Sequence, residues 1–412
     1  MAKHDQNLII GLDIGTTKIC CIVADVQPDG RLDIIGLGTH PSRGLRKGVV
    51  IDIDSTVESI RMAVEEAEMM AGVEIRMVYA GIAGAHIASN NSEGVVATKD
   101  NEVHASDIQR VLDAARAQSI PMDREILHVI PQEFVLDAQE GIKDPLGMAG
   151  VRLEARVHLV TGAVASAQNI VKCANRCGLD VGDIILEQLA SAEACLTEDE
   201  KELGCCLLDI GGGTTDIAIY AEGHIKHTAV LAIGGDHMTN DIAVGLRTPT
   251  REAEQLKRKF GCALSALVGP DETIEVPSIG ERPPRSLGRH ILAEIIEPRV
   301  EELFTLVQRE IVRSGFDEQI AAGIVLTGGA ANTEGIVDLA EEIFNKPVRR
   351  GLPQGVGGLT DVIANASYAT ATGLVLYANR YGQESTMRYN QDDVGGSRSM
   401  VSRMRSWFGD IF

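Results

Sequence analysis

Between Leu207 and Tyr220 the chain reads LLDIGGGTTDIAIY, with an acid, three glycines and two threonines set between two apolar stretches. The flanks have strand composition and the glycines mark a turn, so the segment is a strand, a tight turn and a returning strand. Gly211, Gly212 and Gly213 put no side chain over their backbone N–H groups, which can therefore wrap an anion, and Thr214 and Thr215 add hydroxyl donors. Phosphate suits such a cradle. Asp209, at the end of the first strand, is placed to hold a hydrated Mg²⁺ that bridges nucleotide phosphates. A glycine-rich hairpin that binds nothing has the same local pattern, and one such run alone would favour that blander reading.

The pattern occurs twice. Leu8 to Val26 reads LIIGLDIGTTKICCIVADV, an apolar strand ending in Asp13, a turn at Gly15 with Thr16 and Thr17, and an apolar strand returning. Each copy is followed by a polar turn and a further strand, RLDIIGLGT after the first and HIKHTAVLAIGG after the second, which marks internal duplication. Two copies facing across a cleft would offer amides, hydroxyls and one carboxylate each to a single polyphosphate. Lys18 adds a cation to the first copy, where the second has Asp216.

On these residues the chain resembles the actin, Hsp70 and sugar-kinase superfamily. DIGTTK is similar to its first phosphate loop and LLDIGGGTTD to its second. Ile324 to Ile336 (IVLTGGAANTEGI) resembles the adenosine motif, in which Gly328, Gly329 and Ala330 let backbone approach the nucleoside. Ile184 to Leu196 (IILEQLASAEACL) resembles the helix joining the two halves, and Asp361 to Tyr377 (DVIANASYATATGLVLY) its partner helix. The resemblance implies an α/β protein, a duplicated actin-like (ribonuclease H-like) ATPase fold whose two halves close on ATP and Mg²⁺. It also implies that Asp13 and Asp209 handle the metal through its waters and that Glu187 lies nearest the attacking water. Whether Glu187 orients a water or only completes a binding site stays open, so the expectation is ATP binding with at most slow hydrolysis. Glu254 and Lys257 lie on one face of a charged helix, Thr250 to Phe260. The resemblance brings them to adenine and ribose; an exposed ion pair is the alternative.

Composition excludes several classes. The 412 residues suffice for two or more cores, and 44% hydrophobic with 3% aromatic content suits aliphatic strands and helices. No run approaches the roughly 18 apolar residues of a spanning helix, and MAKHDQ is not a signal peptide, so a cytoplasmic chain is expected. The eight cysteines fall within apolar strands or helices and form no CxxC pair, and the ten histidines are scattered, which favours buried thiols over metal ligands or disulfides. A net charge of -21 argues against nucleic acid as a partner.

In chain order, Ser55 reads as an N-cap with Glu58 completing a capping box for a helix through Met70, and Glu74 to Gly84 reads as a strand. The expected organisation is a first half made of residues 7–84, 163–203 and 360–381. Residues 85–162 form an inserted small α+β subdomain, 204–244 and 299–359 a second half, and 245–298 its own insert. The first insert follows an additional helix and strand, later than in actin, and this order resembles the FtsA family of bacterial division actins. No substrate domain of the Hsp70 kind follows, and no stretch of the first half clearly supplies the catalytic acid of a sugar kinase. Pro277 to Val300 (PSIGERPPRSLGRHILAEIIEPRV) resembles that family's partner-binding subdomain, making Arg285, Arg299 and Glu302 candidates for partner contact; solvated charges are the alternative. The resemblance implies a protein that polymerises, joins the tubulin-like polymer FtsZ to the cytoplasmic face of the cell membrane at the septum, and recruits later division proteins. A small-molecule kinase or a reactivating chaperone on the same fold is the alternative. A kinase should consume ATP only with an acceptor, whereas the assembly protein should need nucleotide to polymerise and should bind FtsZ.

The last stretch departs from that fold. Residues 382–397 (GQESTMRYNQDDVGGS) have linker composition, and a new pattern starts at 398 with RSMVSRMRSWFGDIF. Met400, Met404, Trp407, Phe408 and Ile411 recur at helical spacing, with Val401 and Phe412 beside them, and Arg398, Arg403 and Arg405 stand against Asp410. A cationic amphipathic segment in an acidic protein, holding its one tryptophan, reads as an interfacial helix for an anionic membrane. So short a helix is marginal in water, so folding is coupled to insertion, and a filament presenting many tails gains about 10² or more in avidity.

Overall fold

Leu8–Ile14, Lys18–Val26 and Leu32–Pro41 run antiparallel as neighbours in a six-stranded sheet of a computed structural model that describes residues 7–280 and 282–381. Across that sheet the order is Asp180–Leu186, Met77–Ile82, Leu8–Ile14, Lys18–Val26, Leu32–Pro41, Val356–Gly358, and the first three are mutually parallel. The second sheet repeats the plan with His224–Leu231, Thr215–Ala221, Cys205–Ile210, Gly323–Thr327 and Val348–Arg350. Its first three strands are antiparallel neighbours and the last two are parallel additions. Sheets covered on both faces need apolar residues at nearly every position. Cys205–Ile210 is buried throughout, Asp209 included. On one face of the first sheet Ile10 and Leu12 pack with Val57 and Ile60 of helix Ile53–Ala71; on the other, Cys20 and Ile22 pack with Leu374 and Val375 of helix Ala369–Tyr381.

Local chemistry moves several boundaries from their expected places. Helix Ile53–Ala71 is capped by Asp52, whose carboxylate accepts the Ser55 N–H, so the expected Ser55 and Glu58 capping box does not form. Asp caps a helix as well as Ser, and lying three residues earlier it takes the first turn. Glu58 pairs with Arg61 instead. The partner helix expected over 361–377 is broken: a short helix Thr360–Ile363 is followed by a 3-10 turn, where the Asn365 side chain accepts the Ser367 N–H, and the long helix Ala369–Tyr381 starts only then. Helix Arg289–Ser314 passes through Pro298 without interruption, so the boundary expected there falls inside one continuous element.

The first insert is a four-stranded sheet in the order Ala88–Ala97, Arg152–Ala163, Arg124–Leu136, Gln139–Ile142, with helix Ala105–Arg116 packed on it through Val111, Leu112 and Ala115. It rests on the edge strand of the second sheet through side chains that donate to backbone carbonyls: Ser89 to Thr228 at 2.8 Å, Asn91 to Lys226 at 3.2 Å and Gln132 to Ile225 at 2.7 Å. The second insert packs helix Thr250–Phe260 and the hairpin Thr273–Val276 with Arg285–Gly288 against helix Gly235–Gly245 and the long helix Arg289–Ser314. No described helix is long and apolar enough to cross a membrane. The linker expected at 382–397 and the amphipathic segment at 398–412, with all its membrane candidates, lie outside the described residues.

Candidate nucleotide and metal site

The turn after Leu8–Ile14 and the turn after Cys205–Ile210 meet tip to tip. A side chain on Gly212 would overlap the Thr17 hydroxyl, and one on Gly213 would come within 2.7 Å of the Thr16 hydroxyl, so the approach requires glycine. Thr17 Oγ1 donates across the gap to Asp236 Oδ1 at 3.4 Å, and Thr16 Oγ1 accepts the Gly48 N–H at 3.0 Å. Gly211 closes its own turn by donating its N–H to the Thr214 carbonyl at 3.0 Å.

Four carboxylates gather at the roots of these loops. Burial, then the Asp209 charge, pushes the Asp13 carboxyl up to about 7 against the opposing pull of Lys18. Glu187 is raised well above the carboxylate range by burial and by Asp13, Asp216 and Asp209. Asp216 is raised likewise by burial and by Asp209, despite the Thr214 hydroxyl that donates to it at 3.3 Å. Burial also raises Asp209, opposed by hydrogen bonds from Ser191 and Thr370 and by Lys18. Dry, mutually repelling carboxylates call for a hard cation, and oxygen donors are the set that Mg²⁺ accepts. Among the described residues no three His, Cys, Asp or Glu side chains converge as direct metal ligands. Gln188, fully buried, donates to Asp216 Oδ1 at 2.8 Å, and its Oε1 is a buried acceptor without a hydrogen-bond partner among the described residues. Lys18 donates to the Ser367 carbonyl at 2.6 Å and lies 4.0 Å over the Tyr368 ring.

The residues expected around adenosine lie beside the same loops. Gly235 and Asp236, which open helix Gly235–Gly245, donate their N–H groups to the Gly211 and Gly212 carbonyls at 2.9 and 2.8 Å. Lys257 Nζ donates to the Gly235 carbonyl at 2.9 Å and pairs with Glu254 at 2.7 Å. A Cβ on Gly235 would touch Lys257 Nζ at 3.2 Å and the Ala330 methyl at 3.4 Å, which sets Glu254, Lys257 and Ala330 around one turn. Gly328, at φ 87°, lies so close to Asp209 that any side chain there would overlap the carboxylate. The next residue, Gly329, opens a 3-10 turn.

One candidate turns away. Thr215 is fully buried and its hydroxyl donates to the Ile233 carbonyl at 2.8 Å, because alternate residues of a strand face opposite sides and Asp216 takes the side of the cleft. Several site residues were not singled out by sequence: Gly234, Gly235 and Asp236, Gln188, Ser191 and Thr370. The IGGD run at 233–236 was the available signal, a glycine pair ahead of a helix, hidden at the end of a strand pattern. On the second insert, Arg285 donates to the Leu246 carbonyl, and Arg299 binds Asp241 at 2.5 and 3.1 Å and pairs with Glu302. Arg285 and Arg299 tie the hairpin and the long helix to helix Gly235–Gly245 and its end, while Glu302 pairs with Arg299 along the long helix itself.

Family models match the second half and the first insert. A family model described as "Cell division protein FtsA" matches residues 206–373, and one described as "SHS2 domain inserted in FTSA" matches residues 84–161. The chain is 61% identical over 406 residues to "Cell division protein FtsA" of Pseudomonas aeruginosa, covering 97% of each. Among solved structures it is similar in fold to the PilM-PilN type IV pilus biogenesis complex, with a TM-score of 0.65 at 16% identity over 90% of this chain and 98% of that one. MreB5 of Spiroplasma citri bound to ADP gives a TM-score of 0.56 at 16% identity over 94% of this chain and 99% of that one.

Proposed function

The chain belongs to the FtsA family of cell division proteins, and from that premise we propose that it is an actin-like, ATP-binding protein that polymerises and anchors FtsZ to the cytoplasmic face of the cell membrane at the septum. Residues 398–412 are its membrane contact, and later division proteins are recruited to the polymer. The observation that carries the nucleotide reading is the meeting of two glycine turns, tip to tip, with Asp13 and Asp209 at their roots and Glu254, Lys257 and Ala330 beside them. An ADP-bound MreB5 of the same fold supports nucleotide as the guest.

In this reading the backbone amides of residues 15–17 and 212–214 take the phosphate oxygens, and the Lys18 ammonium neutralises part of their charge. The purine and ribose lie toward Lys257, Glu254 and the turn at 328–330. Asp13 and Asp209 would accept from the water shell of Mg²⁺, which when bound would supply charge neutralisation for the phosphates. Gln188 Oε1, a buried acceptor without a partner among the described residues, and the neighbouring Glu187 carboxyl, whose pKa burial raises, are the groups that would hold a water. The second insert, tied down by Arg285 and Arg299 with Glu302 paired to Arg299, is the partner surface.

Titrating wild type and Asp209→Ala with a fluorescent ATP analogue tests the cleft. The variant should bind tenfold or more weakly with Mg²⁺ present, about 1.4 kcal/mol or above. Unchanged affinity under those conditions would remove Asp209 from the site.

A further inference from the structure

Asp209 is gripped from two helices at once. Its Oδ2 accepts the Ser191 hydroxyl at 2.5 Å, from helix Glu187–Cys195, and the Thr370 hydroxyl at 3.0 Å, from the first turn of helix Ala369–Tyr381. The two hydroxyl oxygens are 3.1 Å apart, closing a buried triangle in which Ser191 is fully buried and Thr370 is 9% exposed. Both donors act on one oxygen. Oδ1 is then held on the other side of the carboxyl, next to Gly328, where the adenosine motif leaves its strand. The helices that carry the hydroxyls are locked to each other: a Cβ on Gly373 would overlap the Ala190 carbonyl oxygen, so their spacing permits no side chain at the crossing.

We infer that Ser191 and Thr370 are positioning residues for the metal site: together they fix Asp209 so that Oδ1 is presented to the water shell of the cation. Two hydroxyl donors on one carboxylate oxygen favour the ionised form and remove rotation about the Cβ–Cγ bond. A carboxylate oriented in advance binds without ordering itself when the ion arrives. The inference rests on the reading of this cleft as an Mg·ATP site. It adds that the last helix before residue 382 takes part in that site through Thr370, a residue no phosphate-loop pattern contains.

The test is a binding experiment with the full chain. Affinity for a fluorescent ATP analogue is measured with Mg²⁺ and with EDTA for wild type, Thr370→Val, Thr370→Ser and Ser191→Ala. Valine keeps the shape of threonine and removes its hydroxyl. Positioning predicts that Thr370→Val and Ser191→Ala each lose severalfold to tenfold of the Mg²⁺-dependent gain in affinity, with the EDTA affinity unchanged, and that Thr370→Ser restores the gain. A second readout needs no ligand: the thermal midpoints of Thr370→Val, Asp209→Asn and the double variant should be non-additive, because all three report one contact. An equal loss with Mg²⁺ and with EDTA, or a Thr370→Val protein that keeps the full Mg²⁺ gain, would overturn the positioning role while leaving the nucleotide site standing. A wild type with no Mg²⁺-dependent gain would overturn the reading beneath it.

Discussion

His158 has both ring nitrogens in hydrogen bonds, Nδ1 with Asn91 Oδ1 at 2.7 Å and Nε2 with Thr228 Oγ1 at 2.9 Å, and is 1% exposed between the first insert and the second sheet. Burial, with His227 adding to it, pulls its pKa from 6.5 down to about 3. The unfolded chain therefore binds more protons than the folded one between those values, so stability is fully present above 6.5 and falls as pH falls below it. Relative to His158→Gln, wild type should lose about 1.4 kcal/mol of stability between pH ~7.5 and ~5.5, measured by denaturant unfolding. Parallel losses in the two proteins would contradict the buried neutral state. Nothing in the sequence marks this histidine, because its partners lie 67 and 70 residues away. Asp13 and Asp209, by contrast, were legible, since each sits beside its own glycine turn. The hydroxyls that hold Asp209 were not, because 18 and 161 residues separate them from it.

Among the elements, the strands of the two sheets read easily because burial on both faces leaves long apolar runs, and duplication states the plan twice. Helix ends read less well. Asp52 displaced Ser55 as a cap, and Asn365 ended one helical turn before another began, both by choices among equally good local hydrogen bonds. The helix crossing was invisible as well, since Gly373 in ATATGLVLY looks like an ordinary weak point. Replacing glycine by alanine inside a helix normally stabilises by about 1 kcal/mol. At position 373 the sign should reverse: the new methyl would overlap the Ala190 carbonyl oxygen, and overpacking of this kind costs about 1–3 kcal/mol. Gly373→Ala should lower the thermal midpoint, and a raised midpoint would mean that the helices can separate freely.

At the scale of the whole molecule, the first insert hangs from one half and is pinned to the edge strand of the other by Ser89, Asn91 and Gln132. Its place in the chain was legible as a change of pattern after Gly84, whereas its docking depends on side chains that no local pattern selects. If the two halves close on nucleotide as proposed, they present opposite end surfaces, and head-to-tail contacts that do not close on themselves make filaments. ATP should therefore promote assembly, seen by sedimentation and by electron microscopy on lipid monolayers; monomers with and without ATP would contradict it. The amphipathic pattern at 398–412 rests on spacing and charge alone and lies outside the described residues. The measurement that bears most directly on the account is flotation with anionic vesicles in the presence of ATP and FtsZ, comparing the full chain with one lacking residues 398–412. The full chain should rise with the vesicles and bring FtsZ with it, and the shortened chain should leave both behind while binding the nucleotide analogue as before. Equal flotation of the two, or vesicles that carry the full chain without FtsZ, would contradict the account.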